Sequence, residues 1–295
     1  MPEIRVLVFG ATGTGKTSLC NVLTGKSKPT NSGAKGVTAK SHIYPKFQFG
    51  DVAIKIVDTV GLHESIHGKV PPDQAALQLV DLLKNSRDGF SLLIHVAWAG
   101  RITEQHDEDY QFFVEKLTQN HIPVLLAVTG CENEHPMFSW VQNNHQDFER
   151  FAYKEIIPTC FASGGRLEKE FAPLREESRA ELLRAIVQNA LTESYRLYGE
   201  GTGRSFDEVL TRIWNEVVTM LGREDYRRKT NESAYALLRR IGVTEKIAKA
   251  AITHIPELVG ALADKTPVPF LGKISRHLSR LGMEKMFSRR RNDGT

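Results

Sequence analysis

The sequence predicts an α/β fold: a mostly parallel sheet with one antiparallel hairpin and helices on both faces, followed by an all-α C-terminal region. Three observations predict it. Short apolar runs alternate with helical patterns through the first two-thirds of the chain. Two of those runs, His42–Phe49 and Val52–Val57, are separated only by Gly50-Asp51, a tight-hairpin signal. No strand-like run follows residue 203.

Taken in order, Ile4–Phe9 reads as a buried strand, and a helical pattern runs from near Thr17 to near Gly25. After the hairpin, strand-like runs at Phe90–Ala97, Ile122–Val128 and Glu155–Phe161 alternate with helical stretches. Those stretches are Asp73–Asn85, Asp107–Gln119 and a weaker one over Met137–Tyr153. Right-handed crossovers between parallel strands put the loop after the first strand at the carboxyl edge of the sheet, where ligands bind. Leu174–Leu197, rich in Glu, Arg, Leu and Ala, is the expected last helix of a first domain spanning 1–198. Gly199-Glu200-Gly201-Thr202-Gly203 reads as a link. Residues 199–295 form the expected helical region, with helices at Phe206–Leu221, Tyr226–Ile241, Thr244–Leu262 and Leu271–Arg290.

Composition excludes several classes. The chain of 295 residues is 41% hydrophobic and 25% charged, ordinary for a globular protein. Three cysteines, Cys20, Cys131 and Cys160, lack paired spacing, which argues against a disulfide framework or zinc site and fits a reducing compartment. No apolar leader precedes Ile4, and no run of 18 apolar residues occurs. The expected location is cytoplasmic, peripheral to a membrane if the basic tail engages one. That tail, Leu271–Thr295, carries seven Lys/Arg against two Asp/Glu, so it holds the whole excess of the +4 net charge.

The chemistry starts at Gly10-Ala11-Thr12-Gly13-Thr14-Gly15-Lys16-Thr17, which spells G-x-x-x-x-G-K-S/T, the phosphate-binding loop of P-loop NTPases. Its strand–loop–helix setting is the context that motif needs. Glycines let successive N–H groups point inward, and the next helix adds its unpaired N–H groups and positive dipole end. Gly10, Thr12, Gly13, Thr14, Gly15, Lys16, Thr17 and Ser18 are the expected phosphate-side residues. Lys16 supplies charge for the β- and γ-phosphates, and Thr17 offers a hydroxyl to Mg²⁺.

Further motifs fall at the expected strand ends. Asp58-Thr59-Val60-Gly61 closes the hairpin strand; Asp58 can hold Mg²⁺ through its water shell, and Gly61 can bring an N–H to the γ-phosphate. In the polar segment Asn31–Thr38, Thr38 is the expected Mg²⁺ hydroxyl of a switch loop, with Thr30 as the second choice. Thr129-Gly130-Cys131-Glu132 stands where a guanine reader, an Asn- or Thr-Lys-x-Asp run, would lie. The Lys is missing and Glu132 replaces Asp, yet a carboxylate still matches the guanine N1 and N2 donors, which adenine lacks. In Cys160-Phe161-Ala162-Ser163, Ala162 and Ser163 can present a backbone N–H to the guanine O6.

Together these motifs resemble the GTPase superfamily that includes Ras, septins and chloroplast import receptors. Within its septin-like, translation-factor class, the opening motif through Ser18, Asn21 and Gly25 looks like that of the avirulence-induced-gene and immunity-associated (GIMAP-type) GTPases. Gly100-Arg101-Ile102-Thr103-Glu104-Gln105 resembles that group's extra box, while Asp58–Leu62 and Thr129–Glu132, with Trp140 downstream, look closest to a fungal G-domain branch. The resemblance covers roughly Arg5 to Ala190. It implies GTP/GDP and Mg²⁺ as ligands and nucleotide-dependent self-association as a homodimer or oligomer, often at membranes. Ras-like enzymes place a water-orienting glutamine after Gly61; here Leu62 and His63 follow, so hydrolysis needs another group, for which His63 and Arg101 are candidates.

Lys273–Leu281 places Ile274, Leu278 and Leu281 on one helical face among basic residues, suited to an anionic membrane surface or to packing on preceding helices. No aromatic interleaving supports nucleic-acid binding. Three readings stay open: a slow GTPase, a nucleotide-gated scaffold with negligible hydrolysis, and an ATP-using protein on the same loop.

Overall fold

The computed structural model describes residues 2–26, 42–59, 72–100, 102–162, 168–206, 208–210, 212, 213 and 216. Its strands are β1 (Glu3–Phe9), β2 (His42–Ile43), β3 (Phe47–Phe49), β4 (Val52–Asp58), β5 (Leu92–Trp98), β6 (Val124–Thr129) and β7 (Tyr153–Pro158). Its α-helices are α1 (Lys16–Thr24), α2 (Pro72–Asn85), α3 (Glu104–Tyr110), α4 (Ser139–Asn144) and α5 (Glu168–Asn189).

One sheet runs in the order β2–β4–β1–β5–β6–β7, with β3 also on β4. The strands β4, β1, β5, β6 and β7 are parallel, and β2 and β3 pair antiparallel with β4. This is the expected P-loop architecture, because the apolar runs are buried on both faces. Along β1, Leu7 and Phe9 join Leu82, Leu83, Phe113 and Leu117 on one side. Val6 and Val8 join Leu19, Leu23, Leu182 and Ile186 on the other. Period-2 alternation thus divides one continuous apolar run between two helical layers.

The expected elements shift where local chemistry intervenes. The single strand expected over His42–Phe49 splits into β2 and β3 around Pro45, which has no N–H to give the ladder. Tyr44 N–H still reaches Ile56 O at 2.9 Å. The helix expected from Asp107 begins at Glu104 and continues beyond α3 as a π-helical turn, Gln111–Leu117. It stops where Gln119 and Asn120 take positive φ. The helix expected over Met137–Tyr153 shrinks to α4 and a 3-10 turn at His145–Phe148; α4 buries no residue, so no packing extends it, and Tyr153 opens β7 instead. The helix expected to reach Leu197 ends at Asn189, whose side chain bonds Ala185 O and Glu155 Oε1. The chain then returns along the sheet, where Phe90 and Tyr195 exchange backbone hydrogen bonds at 3.1 and 2.8 Å.

The glycine-rich link is a closed turn: Gly199 N–H donates to Arg204 O at 2.9 Å. Beyond it, Val209, Leu210 and Ile213 are buried in the same cluster as Leu82 and Leu117. Arg212 also donates to the carbonyls of Lys116 and Leu117 at the end of the π-helical turn. Buried apolar contacts therefore cross the boundary expected at residue 198.

Below the carboxyl edge, rings form a column. Phe113 stacks on Phe9 and Phe9 on His95, each at 4.5 Å, and His95 stacks on His106 at 4.1 Å. Tyr153 OH lies 2.7 Å from His95 Nδ1 and 2.9 Å from His106 Nε2, so it donates to one imidazole and accepts from the other. Burial, reinforced by Arg150, pulls the His106 pKa from 6.5 down to about 4. The unfolded chain therefore binds a proton at pH values where the folded one refuses it. Stability from this group is complete above pH 6.5 and declines by about 3 kcal/mol as pH falls toward 4. Denaturant unfolding at pH 7.5 and 4.5 should show that decline, and His106→Phe should remove most of its share. A pH slope unaltered by the substitution would contradict it.

Candidate functional site

The phosphate loop leaves β1 at Gly10, where φ is 136° and an added Cβ would sit 2.3 Å from Val96 O on β5. No side chain fits between the loop and that strand. Thr14 closes a turn by donating from N–H and Oγ1 to Ala11 O, at 3.4 and 2.9 Å. Gly15, at φ 90°, caps α1 without a side-chain bond. The helix ladder opens with Leu19 N–H on Gly15 O. The N–H groups of Lys16, Thr17 and Ser18 precede that ladder and are oriented for an anion. Lys16 is only 7% exposed, and its Nζ donates to the Gly10 and Ala11 carbonyls, each at 2.7 Å. A cation is thus held at the loop by acceptors that a phosphate can replace.

The neighbouring strand delivers the carboxylate. Asp58 ends β4 opposite Val8 and is fully buried. Thr59 fixes it there, donating from N–H and Oγ1 to Val8 O at 3.1 and 3.0 Å. Thr17 Oγ1 lies 3.5 Å from Asp58 Oδ2, so a hydroxyl and a carboxylate oxygen converge beside the loop. That oxygen-only pair is the donor chemistry a hard divalent cation takes.

On the other flank, Thr129 ends β6 and its Oγ1 is shared between Thr14 O at 2.6 Å and Ala97 O at 3.1 Å. The expected base-side and phosphate-side residues are thus bonded directly. Gly130 adopts φ 81° and leads into a 3-10 turn, Cys131–Asn133. The turn is pinned to the next strand: Cys131 N–H reaches Thr159 O at 3.4 Å, and Thr159 N–H reaches Val128 O at 2.7 Å. Glu132 Oε2 is buried with no hydrogen-bond partner among the described residues. Glu132 also lies beside Cys160, whose thiol is pushed up to about 11 by burial and then by that carboxylate. Ala162 O is held by Arg175 at 2.6 Å, and Arg175 pairs with Glu168. The expected residues Thr38, Gly61, His63, Arg101 and Ser163 lie outside the described ones.

Sequence reasoning missed two features. The Thr129–Thr14 bond spans 115 positions, and only strand register creates it. Trp98, at the end of β5, is 53% exposed and packs over Gly130. Its signal was a large aromatic residue at the polar end of an apolar strand.

Residues 5–130 match the family model described as 50S ribosome-binding GTPase. The chain is 27% identical over 197 residues to GTPase Der of Thermosipho melanesiensis, covering 63% of this chain and 41% of that protein. It is 24% identical over 201 residues to GTPase Der of Thermosynechococcus vestitus, covering 65% and 43%. The chain therefore spans about two-fifths of the length of the curated relatives it matches. Among solved structures, a variant of Aquifex aeolicus Era bound to GDP and aluminium fluoride superposes with a TM-score of 0.49 at 18% identity, covering 68% of this chain and 61% of that one.

Proposed function

We propose that the GTP-binding G domain carried by this chain is a slow, Mg²⁺-dependent GTPase whose nucleotide state governs self-association. One observation carries the guanine reading. Glu132 keeps a buried carboxylate oxygen with no donor among the described residues, in the 3-10 turn that follows the strand bonded to the phosphate loop. A desolvated, donor-less oxygen is unfavourable by about 1–3 kcal/mol. Guanine N1–H and N2–H would satisfy it; adenine offers no such pair there.

The residues divide the work. The loop N–H groups and Lys16 bind the phosphates, with Lys16 exchanging the Gly10 and Ala11 carbonyls for phosphate oxygens. Thr17 Oγ1 and Asp58 would hold Mg²⁺, which when bound neutralises charge on the β- and γ-phosphate oxygens. Among the described residues no cluster of three or more His, Cys, Asp or Glu side chains converges on a metal site. Such a cation therefore depends on phosphate and water for its remaining ligands. Thr38 and the Gly61 N–H are the γ-phosphate sensors of this reading, and His63 or Arg101 assists the attacking water. The resemblance of Gly100–Gln105 to the immunity-associated group supports dimerisation across the nucleotide edge. The basic tail supports an anionic membrane contact for an otherwise cytoplasmic protein.

The sequence also favours a second reading. Leu62 and His63 stand where Ras-like enzymes place a glutamine, so the domain can gate binding with negligible turnover. Calorimetric titration with GTP, GDP and ATP in the presence of Mg²⁺ tests the first claim; GTP and GDP should bind and ATP should not. Turnover per molecule should then rise with protein concentration, since a second copy supplies the missing group. Binding without any phosphate release at high concentration selects the gated scaffold, and preference for ATP overturns both.

A further inference from the structure

Trp98 is the last residue of β5, in register with Thr129 of β6 at the carboxyl edge of the sheet. An indole left 53% exposed there contributes little to the core. Its position is set by Gly130. A Cβ built on that glycine would lie 2.7 Å from Trp98 Cε2, 2.8 Å from Cζ2 and 3.0 Å from Cδ2. All three atoms belong to the benzo ring, so a face of the indole lies on the Gly130 backbone. The ring fills the volume that a side chain at residue 130 would take. Gly130 also sits at φ 81°, which disfavours any side chain. The position at which the usual guanine reader carries a lysine is thus backed by an aromatic plane from the adjacent strand. Two residues further on is the donor-less buried oxygen of Glu132.

We propose that Trp98 is the stacking platform for the nucleobase: the base lies on the solvent-facing side of the indole while Glu132 reads its edge. This rests on the guanine-nucleotide reading above. Every base has a π-face, so stacking supplies affinity without choosing among bases, and the choice is left to Glu132. The missing lysine and the exposed tryptophan then have one explanation.

The test uses the full chain and two probes, GDP and inorganic tripolyphosphate, the second having phosphates but no base. Trp98→Ala and Trp98→Leu should each weaken GDP binding by about tenfold to a hundredfold. Trp98→Phe, which keeps a π-face, should retain most of the affinity. Tripolyphosphate affinity should be the same in all four proteins. The chain has three tryptophans, and GDP should quench an indole emission that Trp98→Phe abolishes. Unchanged GDP affinity in Trp98→Leu overturns the stacking role. A parallel loss of GDP and tripolyphosphate binding also overturns it, because the residue would then only support the loop. An unaltered chain that binds tripolyphosphate but not GDP overturns the guanine reading itself. If Trp98→Ala does not fold, the Leu and Phe variants, both bulky and apolar, decide the matter.

Discussion

Lys16→Ala should abolish GDP binding at concentrations that saturate the unaltered chain. The ammonium is nearly buried and donates two 2.7 Å bonds to loop carbonyls, so its position at the loop mouth is fixed before any ligand arrives. Those two carbonyls are neutral; a phosphate would be charged, and charge-assisted bonds contribute about 1.5–3 kcal/mol each. Losing two of them weakens binding by about two to four orders of magnitude. The same change leaves the Gly10 and Ala11 carbonyls without this donor, so the nucleotide-free protein should also unfold at lower denaturant concentration. Titration of GDP by calorimetry, beside an unfolding curve, separates the two effects. Retained affinity in a folded variant would mean that the loop is not the site.

Glu132→Ala should move affinity and stability in opposite directions. A carboxylate accepting from guanine N1–H and N2–H makes two charge-assisted bonds, so GDP affinity should fall by about a hundredfold or more. Discrimination against ADP should fall with it, since this carboxylate is the acceptor that the guanine reading assigns to the base edge. Without ligand, however, Oε2 is a buried oxygen that has lost water and found no donor among the described residues. Removing it should raise the stability of the nucleotide-free protein by about 1 kcal/mol. A residue kept for folding would show both quantities falling, and an unused surface carboxylate would change neither. Comparison of GDP and ADP titrations with unfolding in nucleotide-free buffer distinguishes the three outcomes.

Much of this frame was legible in the sequence, for a physical reason. β1, β4, β5 and β6 are largely buried on both faces, so they appear as apolar runs interrupted only by Arg5, Lys55 and His95, and the phosphate loop carries its own backbone requirements in Gly10, Gly13 and Gly15. Element ends were harder to read because they depend on tertiary partners. Whether residues 137–153 continue as helix depends on what their apolar side chains meet, and in the fold Phe148 and Tyr153 turn inward from a 3-10 turn and a strand. Pro45 was visible, yet its power to divide a strand follows from the ladder that it interrupts. Within the site, residue type pointed to Lys16, Thr17, Asp58 and Glu132. The burial of Glu132 Oε2 and the seating of Trp98 on Gly130 arise only when β5, β6 and β7 lie side by side, which no single segment encodes.

The shared proton of Thr129 has a thermodynamic consequence. One hydroxyl bridges Thr14 of the loop and Ala97 of the neighbouring strand, so the two recognition segments lose their independent freedom when the protein folds. That ordering entropy is spent once, in the free protein, and is not charged again to each ligand. A nucleotide bound as proposed would find, on engaging one segment, the other already oriented, so its phosphate and base halves would meet a single preorganised frame.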